Sequence, residues 1–258
     1  MSDSEGAAVT AQRGKRIRGS GKVRGAVLWD ALRTTLERIG DGPGPRDVVD
    51  VGGGTGGFAV PLAGLGHRVT VVDASPDALA ALERRAADAG VAVHAVQGDA
   101  TDLPHLLGPD AADLVLCHSV LEYVDDPAAA MAAMAGVVRP GGSLSLLAAG
   151  QVGAVLHRAV AGHFDEARAV LAGPGAGEQE RVPRRYYTRE SLAALVAGAG
   201  LHGRELLGVR IFADLVPAGL LDADADSVES LIALETAAAV HPVLRELATQ
   251  LHLVADRR

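Results

Sequence analysis

The chain has 258 residues, 48% hydrophobic and 22% charged, a balance that suits a globular protein with one substantial core. A formal net charge of −8 argues against non-specific binding to nucleic acid, and a single cysteine, Cys117, excludes an internal disulfide and a cysteine-based zinc site. The N-terminal MSDSEGAAVTAQRGKR lacks the apolar segment of a secretory signal, and no run of about 18 apolar residues predicts a membrane span, so a cytoplasmic protein is expected.

Residues 1–21 are polar and aperiodic and predict a flexible basic arm ahead of one domain over 22–258. From Lys22 to Ile39 the apolar positions Val23, Val27, Leu28, Leu32, Leu36 and Ile39 mark one helical face, which GDGPGPR ends. Strands and helices then alternate. DVVDV reads as a buried strand, GGFAVPLAGLG as a helix and HRVTVVD as a second strand. Ser75 is a candidate N-cap with Pro76 at the first helical position of a helix running to Gly90. VAVHAVQ and ADLVLCHS read as strands, DPAAAMAAMAGVV as a helix, RPGG as a turn and SLSLLAA as a fifth strand. Five strands with helical crossovers over 45–150 require a parallel sheet covered on both faces. Beyond it, residues 151–200 read as an insert and cap: a helix from Gln151 to Ala161, a loop AGPGAGEQERVP, and a helix capped by Thr188. LHGRELLGVRIF reads as a strand, Ser227–Val240 as a helix and QLHLVA as a closing strand.

The stretch VVDVGGGTGG carries the chemistry. From Gly52 it reads G-x-G-x-x-G through Gly54 and Gly57; from Asp50 it reads D-x-G-x-G-x-G through Gly52, Gly54 and Gly56. Either pattern brings backbone N–H groups close to a nucleotide cofactor after the first strand, and either uses an acid after the second strand, here Asp73, for ribose hydroxyls. The glycines alone do not choose. Asp50 does: a carboxylate there suits a cationic ligand and repels a pyrophosphate. Asp99, in QGDATDLP after the third strand, stands where a carboxylate can take an adenine amino group, with Ala100 beside it.

In this order, with HSVLEYVDDP and RPGG downstream, the series resembles the class I S-adenosylmethionine (SAM)-dependent methyltransferases over about 45–150. The resemblance implies an α/β fold, a Rossmann-like seven-stranded sheet that is mostly parallel with an antiparallel strand near the C-terminus. GKVRGAVLW, CHSVLEYV, AGHFDEA and GVRIFAD extend it, from Lys22 to Ala255, to the tRNA 5-carboxymethoxyuridine methyltransferase family, whose members esterify the carboxylate of a modified wobble uridine. That resemblance implies that Arg24 reaches the SAM carboxylate and that Gly52, Gly53, Asp73, Asp99, Ala100 and His118 line the cofactor. Asp50, Gly54 and Ala74 join them by motif position. The arm RGKRIRGSG has no aromatic residue and RRYYTRE replaces a Pro- and Asp-rich loop, two departures from the family pattern.

The acceptor side offers Arg158, Arg184, Arg185 and Arg210 as anion clamps, or as surface ion-pair partners, and Tyr123 as a stacking ring or as core. His118 is the candidate catalytic residue, in a positioning role, or else a satisfied structural histidine; a carboxylate acceptor is already ionised and needs no base, whereas a hydroxyl or amine does. His157 and His163 lack metal-ligand spacing, and no metal is expected. Six of the chain's basic residues fall between 13 and 24 without an acid, and Arg181, Arg184, Arg185 and Arg189 form a second cluster; both are either solvated segments or contacts for tRNA phosphates. Three functions compete: methylation of an anionic acceptor such as the carboxymethoxy group of a tRNA wobble uridine, methylation of a ring-bearing small molecule at O or N, and catalytically silent SAM binding. The intact Asp50, Gly52, Gly54, Asp73 and Asp99 argue against the last.

Overall fold

The computed structural model describes residues 25–40, 42, 44–173, 185–217 and 225–258. Its centre is β1 (Asp47–Val51), a short apolar strand that forms because Val48, Val49 and Val51 can be buried on both faces at once. Parallel β2 (Arg68–Asp73) and β4 (Ala112–His118) flank it, pairing Val49 with Thr70 on one side and with Val115 on the other. β3 (His94–Gln97) lies outside β2, and β5 (Val138–Ala149) outside β4. β6 (His202–Val209) and β7 (Gln250–Asp256) complete a seven-stranded sheet of order β3-β2-β1-β4-β5-β7-β6, in which β7 runs antiparallel to both neighbours.

Alternation along the strands sorts the two faces. Leu114 and Leu116 of β4 meet α1 (25–38), α2 (Ala59–Gly64) and α3 (Pro76–Asp88). Val115 and Cys117 meet α4 (Leu103–Leu107), α5 (Pro127–Val137) and α8 (Arg189–Gly198). Between β5 and α8, α6 (Gln151–Val160) and α7 (Phe164–Ala172) form a helical pair. The N-terminal half of α1 packs Val27, Leu28 and Ala31 onto Leu147, Leu207 and Val209, together with Ala239 of α9 (Ala225–Ala239). A 3-10 turn, Leu244–Leu247, leads into β7.

The two expected caps form: Ser75 Oγ accepts from Ala78 N–H, and Thr188 makes a capping box with Ser191; Asp126 adds a third, accepting from the N–H groups of Ala128 and Ala129. Three readings change. RPGG does not precede β5 but lies inside it as an irregularity: the pairing with β4 steps from Ala112–Val138 to Leu114–Ser143, Gly141 has φ +82°, and Gly141 donates to the carbonyl of Arg257 while Gly142 accepts from Arg257 N–H. Val91–Val93 stand outside β3, which is only four residues long at the sheet's edge. Two helices are absent from the sequence reading. α4 is a single turn closed by Gly108, and α7 is a nine-residue helix that buries Ala167 and exposes Phe164 (70%) and Leu171 (68%). The loop AGPGAGEQERVP lies largely outside the described residues, as do the arm 1–21 and the basic run 13–24.

Candidate functional site

The strand order reverses between β2-β1 and β1-β4, and ligands of open α/β sheets bind at the carboxyl ends of strands at such a point. The glycine turn is built there. A Cβ on Gly52 would stand 2.3 Å from Val120 Cγ2, so the turn closes tightly on the segment after β4. Gly56 has φ +80°, and a Cβ on it would stand 2.3 Å from Leu82 of α3. A Cβ on Gly57 would meet nothing within 4 Å. The third constrained glycine is therefore that of D-x-G-x-G-x-G, and the overlapping G-x-G-x-x-G match carries no packing requirement at its last position.

Beneath the turn lies Asp50, only 3% exposed, with its Oδ2 2.6 Å from where a Gly53 Cβ would be. That oxygen has no hydrogen-bond partner among the described residues. Burial, and secondarily the charge of Asp73, pushes its carboxyl up to about 7. Asp73 ends β2 with both oxygens engaged: Oδ2 accepts from Gly54 N–H at 2.8 Å and Oδ1 from Ser75 N–H at 2.9 Å. Each retains acceptor capacity towards a diol. Asp99 is exposed, and its Oδ1 accepts from the backbone and hydroxyl of Thr101, both at 3.0 Å. Gly52, Asp73, Ala74, Asp99, Ala100, Ser119 and Tyr123 line one cavity of about 340 Å³, in the range of small-ligand sites. A buried carboxylate lacking a partner, a glycine cradle and a diol acceptor at the rim fit a cationic nucleoside, as SAM is.

After β4 the chain turns sharply. Ser119 has φ +60°, and its N–H is bonded to the carbonyl of Leu147 at 2.8 Å. The ring of His118 stands edge-on to Phe58 (centroids 4.8 Å) and bonds Ser145 Oγ through Nε2 at 2.9 Å. Fully buried Glu122 accepts from Ala149 N–H at 2.9 Å. Arg185 donates its backbone N–H to the carbonyl of Glu122 and its guanidinium to the carbonyls of Val124 and Asp125, while Tyr187 donates its hydroxyl to the carbonyl of Leu121 at 2.9 Å. Residues 185–187 thus pin the wall of the cavity.

The remaining candidates stand in pairs of their own. Arg158 of α6 donates to Tyr186 Oη at 2.7 Å, lies 5.2 Å from that ring's centre and reaches Glu166 at 3.5 Å. Arg210, at φ +63°, is held by Asp214. His163 meets Glu166, not a metal cluster, and among the described residues no group of His, Cys, Asp or Glu has a metal-site arrangement. Arg24 and Arg184 lie outside the described residues. Sequence reasoning missed Phe58, Ser119, Ser145, Gln250 and His252 around His118. It also missed Glu235, whose buried carboxylate accepts from the N–H groups of Ile211, Phe212 and Ala213 and so fixes the turn that carries Arg210.

Sheet order, glycine turn and orphaned carboxylate define a class I SAM-dependent methyltransferase. A methyltransferase domain family model matches residues 49–146. In overall shape the chain is similar to a SAM-dependent methyltransferase from Mesorhizobium loti (TM-score 0.60, 21% identity, 92% of this chain and 100% of that one). It is similar likewise to a geranyl diphosphate methyltransferase solved with SAM (TM-score 0.58, 18% identity, 89% of this chain and 85% of that one). The chain is 32% identical over 225 residues to the tRNA 5-carboxymethoxyuridine methyltransferase of Escherichia coli K12, covering 84% of this chain and 81% of that protein. It is 31% identical over 183 residues to a ubiquinone biosynthesis O-methyltransferase of Xanthomonas euvesicatoria (71% and 72%). The chain belongs to the tRNA 5-carboxymethoxyuridine methyltransferase family.

Proposed function

We propose that this methyltransferase esterifies an anionic acceptor, the carboxymethoxy group of a tRNA wobble uridine. One observation carries the reading: likeness to the E. coli tRNA enzyme runs over 84% of the chain, well past the methyltransferase domain that ends at residue 146 and into the segments on the acceptor side. When bound, SAM supplies a methyl group on a sulfonium, a leaving group that needs no activation. In this reading Asp50 faces the cation, Asp73 the ribose and Asp99 the adenine. Gly52, Gly53, Gly54, Ala74 and Ala100 shape the cradle, and Arg24 meets the cofactor's carboxylate. Tyr123, Arg158, Arg184, Arg185 and Arg210 face the acceptor, and His118 orients it. Basic segments 13–24 and 181–189 meet tRNA phosphates.

The test is incubation with methyl-labelled SAM and bulk tRNA, followed by nucleoside mass spectrometry. Label is expected on a wobble uridine ester that mild alkali removes. A second reading, methylation of a small ring-bearing metabolite, draws on the Xanthomonas relative. Label in a small-molecule extract with none in tRNA would establish it in place of the first.

A further inference from the structure

The sheet order divides its carboxyl edge in two. Asp73 and Asp99 follow β2 and β3, on one side of β1. On the other side stand Ser119, just after β4, and Gln250, which opens antiparallel β7. Gln250 is in register with Ala149 and Val209, the last residues of β5 and β6. Its Nε2 lies 3.2 Å from Ser119 Oγ, and its neighbour Thr249 donates through Oγ1 at 2.7 Å to Asp214, which holds Arg210. Ser119 and Arg210 have φ +60° and +63°. Such strain costs a residue with a side chain, and it collects at functional sites. Ser119 is half-buried and lines the cavity shared with Gly52, Asp73 and Asp99.

Gln250 is 7% exposed, and its Oε1 is buried with no hydrogen-bond partner among the described residues. A serine hydroxyl and a glutamine amide together carry three polar hydrogens, and their mutual bond uses one. Donors are therefore in surplus whichever way the amide is turned. The far amide atom decides the turn. A buried carbonyl oxygen without a donor is a smaller defect than a buried NH2 group with both hydrogens unused. Nε2–H thus donates to Ser119 Oγ, and the serine hydrogen has no acceptor among the described residues.

We propose that Ser119 binds the methyl acceptor, its hydroxyl donating to one oxygen of the acceptor's carboxylate, and that Gln250 is the positioning residue that occupies the serine lone pair and leaves that hydrogen for the cavity. This role deepens the proposed function and rests on it. With Arg210 beyond Gln250, one half of the edge presents N–H and O–H groups, and the other half presents carboxylates. That division suits an anionic acceptor on one side and a cationic cofactor on the other. While Ser119 holds one carboxylate oxygen, the other attacks the methyl carbon. A carbon–oxygen bond forms, the carbon–sulfur bond breaks with its electron pair going to sulfur, and Ser119 keeps its hydrogen.

The test uses the full-length protein, methyl-labelled SAM and bulk tRNA from which mild alkali has removed methyl esters. S119A is expected to raise the KM for that tRNA about ten- to a hundredfold, the loss of a hydrogen bond to a charged group, while SAM affinity by calorimetry stays within about twofold of wild type. S119C keeps the shape and weakens the donor, so it should behave alike and decides the matter if S119A does not fold. Q250M should raise KM in the wild-type background and add almost nothing in S119A, because Gln250 acts through Ser119. An unchanged KM in the Ser119 variants would overturn the proposal, and so would a loss of SAM affinity in place of the KM effect. Additive effects of Q250M and S119A would overturn the role given to Gln250. If the wild type labels no tRNA, the acceptor reading fails and takes this role with it; label in the wild type with KM unmoved in the variants counts against Ser119 alone.

Discussion

Asp50 gives the residue scale its sharpest consequence. Its carboxyl is raised from 3.8 to about 7 by burial and by Asp73, so below about pH 7 the folded protein without cofactor favours the neutral form. As pH rises from 4 through 7, this group costs the unliganded fold stability, and D50N is expected to melt higher than wild type at pH 8. A bound sulfonium amino acid reverses the preference. SAM affinity should fall by up to about tenfold per pH unit below 7 as the proton competes with the cation, and D50N should flatten that dependence while weakening binding roughly ten- to a hundredfold. Calorimetry at pH 6, 7 and 8 in buffers of different ionisation enthalpy measures both the affinity and the released proton. The glycines give a second contrast. G56A puts a methyl group into Leu82 at positive φ and should cost about 1–3 kcal/mol, whereas G57A faces open space and should change stability by less than about 1 kcal/mol in denaturant titrations.

At the scale of elements, the turn after β6 depends on α9. Glu235 gives both carboxylate oxygens to the backbone of residues 211–213. E235A should destabilise the protein by about 3 kcal/mol and speed hydrogen exchange at Ile211, Phe212 and Ala213 more than in β1. Nothing in the sequence around Glu235 announces that role, since a glutamate in a helix normally faces water. Local devices are legible in the sequence because they act within a few residues: the Ser75, Asp126 and Thr188 caps, the glycine turn, and the acids near the ends of β1 and β2. What stays hidden depends on strand register. Ser145 and His252 read as ordinary strand residues until β7 is placed beside β5. Of the aromatic residues, Phe58 draws no functional reading from the sequence, yet it is the ring packed against His118.

At the scale of the whole molecule, charge is divided between a net −8 chain and two basic segments. If those segments meet tRNA, log affinity should fall linearly with log salt, and neutralising the Lys and Arg of 13–24 and 181–189 should make that slope shallower by nearly one for each phosphate left without its cation. Filter binding at several salt concentrations reads the slope directly; a flat dependence in the wild type would separate this protein from a tRNA-binding one. The placement of β7 has a different consequence, in time. Residues 250–256 fill the gap between β5 and β6, two strands made earlier. During synthesis the open margin of β5 waits while everything between residues 150 and 249 is translated, a sticky surface that a growing polypeptide must keep away from others on the same messenger. Ribosome-bound chains stalled before residue 250 should therefore be cut readily by protease, and resistance should arrive in one step once residue 256 clears the exit tunnel.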